Sequence, residues 1–221
     1  MGDDFVLLVS GETPVNAGNE LYLRYGAHSN RTLFVEYGFV SAEQDSLEVD
    51  VQDIVEDMMR KADTWEAEKK ILEDQGYWGY MPASYSETRE RAERSFIYRD
   101  WTMHCDQAGS AQQTAHPSYR LVTALRLHII HQAHQPPDTT QLQVWHKVVR
   151  GERDIVSSQN EKEWLQLLKG ICTTLITRSQ SRSAGTAKGP FAEAIDSLWE
   201  EERRVGQAIL DTIRLDKTLE W

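Results

Sequence analysis

Three groups of residues in this chain of 221 have the types and spacings for chemistry. The first is two Tyr-Gly dipeptides, Tyr25-Gly26 and Tyr37-Gly38, twelve positions apart in the stretch ELYLRYGAHSNRTLFVEYGFV. A phenol offers a hydroxyl that can orient a polar group and a ring face that can hold a cation. From residue types alone the plain reading is that Tyr25 ends a strand, Tyr37 packs a helix and both glycines serve turns. The second group is His128, His131 and His134, whose imidazoles suit metal ligation. On a helix of about 100° per residue His134 lies roughly 120° from His128, so the three do not converge on one zinc. Surface histidines and no metal are expected. The third is His104-Cys105, which would suggest a thiolate pair. Adjacent side chains rarely face each other, and a buried structural thiol is the expectation.

These residues need elements to position them. Residues 4 to 25 read as a hairpin-like β pair, with FVLLVS rich in apolar and β-branched residues and turn chemistry around Pro14 and Asn16. Ser29 or Asn30 can cap a short helix through Tyr37, which Gly38 ends in the left-handed conformation. Leu47, Val49 and Val51 alternate over a short strand. Gln52 to Gln75 follows as one helix, stopped by Gly76, and GYWGYMPASY reads as a packed aromatic loop. Pro117-Ser118 opens a helix with Leu121, Val122, Leu125 and Ile129 on one stripe. Pro136-Pro137-Asp138 starts another, with Leu142, Trp145 and Val149. Asn160 can cap a third, whose Trp164, Leu168, Ile171, Cys172 and Leu175 face inward. Residues 181 to 189 form a connector, and Pro190 opens a last helix bearing Phe191, Ile195, Leu198, Val205, Ile209 and Ile213.

Bulk composition narrows the partners. A net charge of −11 argues against a nucleic-acid or anionic-membrane surface, which needs clustered Lys and Arg. No apolar run approaches the roughly 20 residues that span a bilayer. Two cysteines, Cys105 and Cys172, make no disulfide framework, and a reduced intracellular compartment, cytoplasmic or nuclear, is expected. Residues 41 to 75 hold twelve Asp or Glu against four Lys or Arg. That imbalance could steer a basic substrate, but a solvated helix face is the simpler reading.

The full string carries more than its parts. Ala17-Gly18-Asn19-Glu20-Leu21, Tyr25-Gly26-Ala27-His28-Ser29-Asn30, Leu33 and Tyr37-Gly38-Phe39-Val40 resemble the end of the SET domain in protein-lysine methyltransferases of the Rubisco large-subunit methyltransferase type. HPSYRLVTALRLHII at 116 to 130, Trp145 to Gly151, Asn160-Glu161, Leu167-Leu168 and Ile171-Cys172 resemble that family's helical substrate-binding domain. The resemblance implies S-adenosylmethionine-dependent N-methylation of a lysine on a protein substrate. It implies that Tyr25 is the catalytic hydroxyl and touches the cofactor, and that Tyr37 and Phe39 bind substrate by walling the lysine channel. Such a channel helps because a lysine with an ordinary pKa near 10.4 must lose its proton to attack, and a dry aromatic wall disfavours the ammonium.

The family's earlier half contributes a Gly-x-Gly turn and an Asn-His pair to the methyl donor, and neither occurs in this sequence. The expectation is therefore an α+β chain: residues 1–41 as the C-terminal portion of a SET domain, and 42–221 as the helical substrate-binding domain. Such a C-terminal portion lacks most of the donor-binding half and does not by itself complete an active site. The alternative from another class is a non-catalytic protein-interaction scaffold built on the helices. The sequence leaves the oligomeric state open.

Overall fold

The computed structural model describes residues 28–42, 44, 46–78, 101–106, 115–133, 137–183 and 189–215, with Asn16 and Gly18. Apart from those two residues, the expected hairpin over residues 4 to 25 lies outside them. What is described has a mixed α+β architecture, a small open three-stranded sheet followed by a dominant helical region.

Helix α1 spans Asn30–Tyr37. Ser29 takes the cap, with extended backbone and its hydroxyl accepting from the Thr32 N–H at 3.3 Å. Gly38 closes the helix at φ 79°, a left-handed conformation that costs a glycine nothing, and its N–H bonds the Phe34 carbonyl. Strand β1 is Ser46–Asp50, β2 is Thr102–Asp106 and β3 is Ala115–Pro117, antiparallel in the order β1-β2-β3. The register sets Leu47 opposite Cys105, Val49 opposite Met103, and Cys105 opposite Ala115, so one face is apolar and buried. Glu48, His104 and His116 align on the other face, where the two imidazoles stack at 5.2 Å. Val51 lies just past β1, fully buried, and its N–H bonds the Trp101 carbonyl at 3.0 Å.

The single helix expected over Gln52 to Gln75 is two: α2, Gln52–Met59, and α3, Trp65–Asp74. Val55 and Met59 are buried in the first; Trp65, Glu68 and Leu72 are buried in the second. On one continuous helix those two faces would point about 120° apart. The turn at 60–64 absorbs that rotation, and both faces reach the same core.

Helix α4, Tyr119–Ala133, departs further from expectation. Ser118 starts it, its hydroxyl accepting from the Leu121 N–H at 3.2 Å, but every residue from Leu121 to His131 is buried, not one stripe alone. It is enclosed by α3, by α5 (Thr139–Val149) and by α6 (Ser158–Ser183). Several of the polar groups buried around it find partners. Arg126 bonds Glu161 at 2.7 Å, Trp164 Nε1 donates to the same carboxylate oxygen at 2.6 Å, and Asn160 Nδ2 donates to the Arg126 carbonyl at 3.0 Å. Asn160 is thus a tether and not the cap of α6; the hydroxyl of Ser157 caps, accepting from the Asn160 N–H.

The expected surface histidines are also corrected. His128 is fully buried between α4 and α3, its Nδ1 2.7 Å from Glu68 Oε2 and its Nε2 2.7 Å from the Gln132 amide nitrogen. Gln132 donates to Nε2, so the neutral ring carries its proton on Nδ1 and donates to Glu68, which also accepts from the Thr64 hydroxyl. Glu68, read as part of a solvated acidic face, is wholly internal because these donors replace its water. His131 is buried and, among the described residues, has no hydrogen-bond partner on either ring nitrogen; burial holds its pKa below the usual histidine value. His134 lies outside the described residues.

Helix α6 runs two residues past the expected start of the connector, and α7 spans Ala192–Arg214. Asp138 caps α5 through the Thr140 N–H, and Trp145 on α5 donates from Nε1 to the Thr123 carbonyl at 2.9 Å. Trp65, Trp78 and Trp101 form a run of rings with centroids 5.0 and 5.3 Å apart. Tyr77 and Trp78 of the aromatic stretch are indeed packed into the core; the rest of that stretch lies outside the described residues. Among the described residues no helix is long and apolar enough to cross a membrane.

Two outcomes follow from this core. Glu68→Ala leaves His128 buried without its acceptor and lowers stability by about 1–3 kcal/mol in urea titration, whereas the exposed Glu66→Ala on the same helix changes it by less than about 0.5 kcal/mol. Both cysteines are buried, and burial pushes the Cys172 thiol up to about 12. An aromatic disulfide reagent at pH 8 therefore titrates no thiol in the native protein and both after unfolding.

Candidate functional site

The residues singled out in the sequence centre on α1. Leu33 turns inward and is buried, although it stands apart from the contiguous apolar core. Phe34 meets Phe191, at the start of α7, edge to face at 5.7 Å. Polar contacts do much of the remaining attachment. Asn30 is 2% exposed, and its amide fills every hydrogen-bonding position it has. Nδ2 donates to the Ser41 carbonyl at 2.8 Å and to Glu201 Oε1 on α7; Oδ1 accepts from the Ser41 N–H at 2.7 Å and from Gln44 Nε2 at 3.0 Å. Gln44 Nε2 also reaches the His28 carbonyl at 3.2 Å.

Tyr37 and Phe39 stand at the C-terminal end of α1, on either side of Gly38. Their ring centroids are 6.4 Å apart with planes inclined at 44°, and they are 49% and 40% exposed. They form one aromatic corner with an open side. Tyr25 lies outside the described residues, so the structure brings together two of the three residues named from the sequence.

Beside α1 runs a groove of about 320 Å³ between α1, β1, the end of α6 and α7. Phe34, Val35, Leu198 and Trp199 give it apolar walls. Its charges are largely internal pairs. Arg178 bonds Asp53 at the start of α2 and, at 3.1 Å, Glu202 on α7; Arg182 lies over the Trp199 ring at 5.1 Å. Burial raises the pKa of both Glu201 and Glu202 above the ordinary carboxylate value, against the lowering by the Asn30 amide and Arg204 for the first and by Arg178 and Arg31 for the second. Neither Tyr37 nor Phe39 borders this groove.

Asn30, Glu201 and Arg178 are the positions that sequence reasoning did not single out for a role beyond capping or charge balance. Glu201 sits in a run of charge that looks like a solvated helix face, Arg178 is a lone charge among polar residues, and Asn30 lies beside a serine that can cap equally well. Contacts between residues distant in sequence reveal them: Asn30 with Glu201 across 171 positions, and Arg178 with Asp53 across 125.

No protein-family model matches the chain. Over 205 residues, 88% of the chain, it is 27% identical to SET domain-containing protein 4 of Homo sapiens. Over 164 residues, 73% of the chain, it is 27% identical to SET domain-containing protein 4 of Mus musculus. A stretch of 64 residues, 29% of the chain, is 31% identical to Ribosomal lysine N-methyltransferase set11 of Schizosaccharomyces pombe. The matched stretches cover 38% of the human relative's length, 29% of the mouse relative's and 15% of the yeast relative's, so the chain spans well under half of each. The chain is a distant homologue of SET-domain proteins.

Proposed function

We propose that the chain takes part in S-adenosylmethionine-dependent protein-lysine N-methylation, as the side of the module that holds the lysine-bearing protein substrate. The observation that carries this reading is the distant SET-domain homology across 88% of the chain, set beside an aromatic corner at Tyr37 and Phe39 with one open side. The division is into a SET portion over 1–41 and a helical substrate-binding domain over 42–221 of the Rubisco large-subunit methyltransferase type. Tyr37 and Phe39 wall the lysine's path, their faces suited to an alkyl stem and a methylated ammonium. Tyr25 supplies the hydroxyl at the methyl-donor side.

The methyl donor supplies an electrophilic sulfonium methyl when bound, but the described residues do not make a pocket for it. The groove beside α1 is lined by charges that largely pair with one another, and no Gly-x-Gly turn or Asn-His pair exists in the sequence. That same observation favours a second reading, a non-catalytic scaffold that binds a protein through the helical domain. The compartment that suits either reading is intracellular, cytoplasmic or nuclear.

Peptide capture separates the two. Peptides selected on the chain are expected to bind about tenfold more weakly when their lysine is replaced by norleucine, which keeps the stem and removes the amine. Tyr37→Ala is expected to erase that preference. Equal binding of lysine and norleucine peptides would exclude the lysine channel and leave the scaffold. Calorimetry of the chain with S-adenosylmethionine is expected to show no micromolar site; finding one would overturn the incomplete pocket.

A further inference from the structure

We propose that Glu201 is a positioning residue for the Tyr37–Phe39 corner, acting through the side chain of Asn30. The importance of that corner rests on the lysine-site reading above; the clamp itself rests on geometry.

The Asn30 amide does two jobs at once. Its paired bonds to the N–H and carbonyl of Ser41 draw residue 41 back onto residue 30, closing a loop that contains α1, Gly38 and both rings. Its remaining N–H is spent on Glu201, and its remaining lone pair on Gln44. Among the hydrogen bonds between described residues, Glu201 is the partner that ties this closed loop to an element outside it. Among the described residues, the apolar attachment of α1 runs through Leu33 and the Phe34–Phe191 edge. Area gives adhesion without direction, whereas a saturated buried amide gives both.

The lever is long enough to matter. Seven residues at 1.5 Å rise place Tyr37 about 10 Å along α1 from Asn30, so a tilt of about 10° at the clamp moves the ring by about 2 Å. Misplacement by about 1 Å can cost a factor of about a hundred in a reaction that depends on alignment. Glu201 suits the post because it sits in the middle of α7, the helix that packs on α6 and on all three strands, and so refers the corner to the rigid body of the protein. Its neighbours on the helix are otherwise engaged, Glu202 with Arg178 and Glu200 with Arg203.

The test uses the full chain with 3-fluorotyrosine incorporated, the Tyr37 fluorine line being assigned by its loss in Tyr37→Phe, alongside hydrogen exchange read by mass spectrometry. Glu201→Ala is expected to shift or broaden the Tyr37 line and to speed exchange in peptides covering 31–41 at least tenfold, while peptides from α4 and α6 keep their protection. Glu201→Gln, whose amide oxygen still accepts from Asn30, is expected to restore both signals. The exposed Glu193→Ala on α7 serves as the control and is expected to change neither. Unchanged fluorine and exchange signals in Glu201→Ala would overturn the proposal. So would a uniform loss of protection across the chain, or a Gln variant that behaves like the Ala variant. None of these readouts requires methyl transfer, so the lysine-site reading can fail while the clamp stands, and the reverse.

Discussion

Where α7 crosses α6 the two helices approach closely at Gly206, and a larger residue there would press on the facing side chain. A β-carbon there would lie 3.1 Å from Ile176 Cγ1 and 3.4 Å from the Cys172 carbonyl oxygen. That contact sets how deep α7 sits, and the depth sets everything it touches on its other sides. Val205 and Ile209 join the core that also holds the inward residues of the sheet, and Cys172 Sγ on α6 lies 3.8 Å from Met103 Sδ on β2. Helix, helix and sheet are therefore one packed unit, and α1 is hung on its edge.

Glu200, Glu201 and Glu202 show how a run of like charge can be divided among separate tasks. Successive residues on a helix point about 100° apart. Glu200 consequently faces solvent with Arg203, Glu201 faces Asn30, and Glu202 faces Arg178, which in turn holds Asp53 of α2. Removing the second and third from water is unfavourable to their charge, as their raised proton affinity indicates, and the donors opposite them offset that cost.

Local structure was legible where the deciding physics is local. A capped start and a glycine stop fixed α1, since both signals act within four residues of the backbone they terminate. Asp138 before α5 is the same case. The division of residues 52–75 was not legible, because neither proline nor glycine marks it; the break exists to turn Trp65 and Leu72 toward a core supplied by distant elements. Strands β2 and β3 went unread for a related reason, the second being only three residues long and made by its partner's edge. His128 and Glu68 lie 60 positions apart, and each alone is a polar residue that belongs in water. Burial of such a residue is a property of the pair, which periodicity cannot see. Tyr37 and Phe39 were named through resemblance alone, since nothing in their residue types distinguishes a channel wall from a packed helix end.

The charge of −11 is a poor guide to what this surface does, because several of its carboxylates are part of the interior scaffolding. Glu68 holds α3 to α4, Glu161 holds α6 to α4, Glu202 links α7 to α6 and, through Arg178, to α2, and Glu201 holds α7 to α1. Each of these joints fixes direction as well as distance, since a carboxylate accepts along defined lone pairs while an apolar side chain slides at little expense. A helical body assembled by apolar packing alone would present α1 at a range of tilts. Joined at its base by a directional bond to the helix that packs on α6 and on all three strands, α1 holds its two rings in one attitude toward whatever approaches their open side.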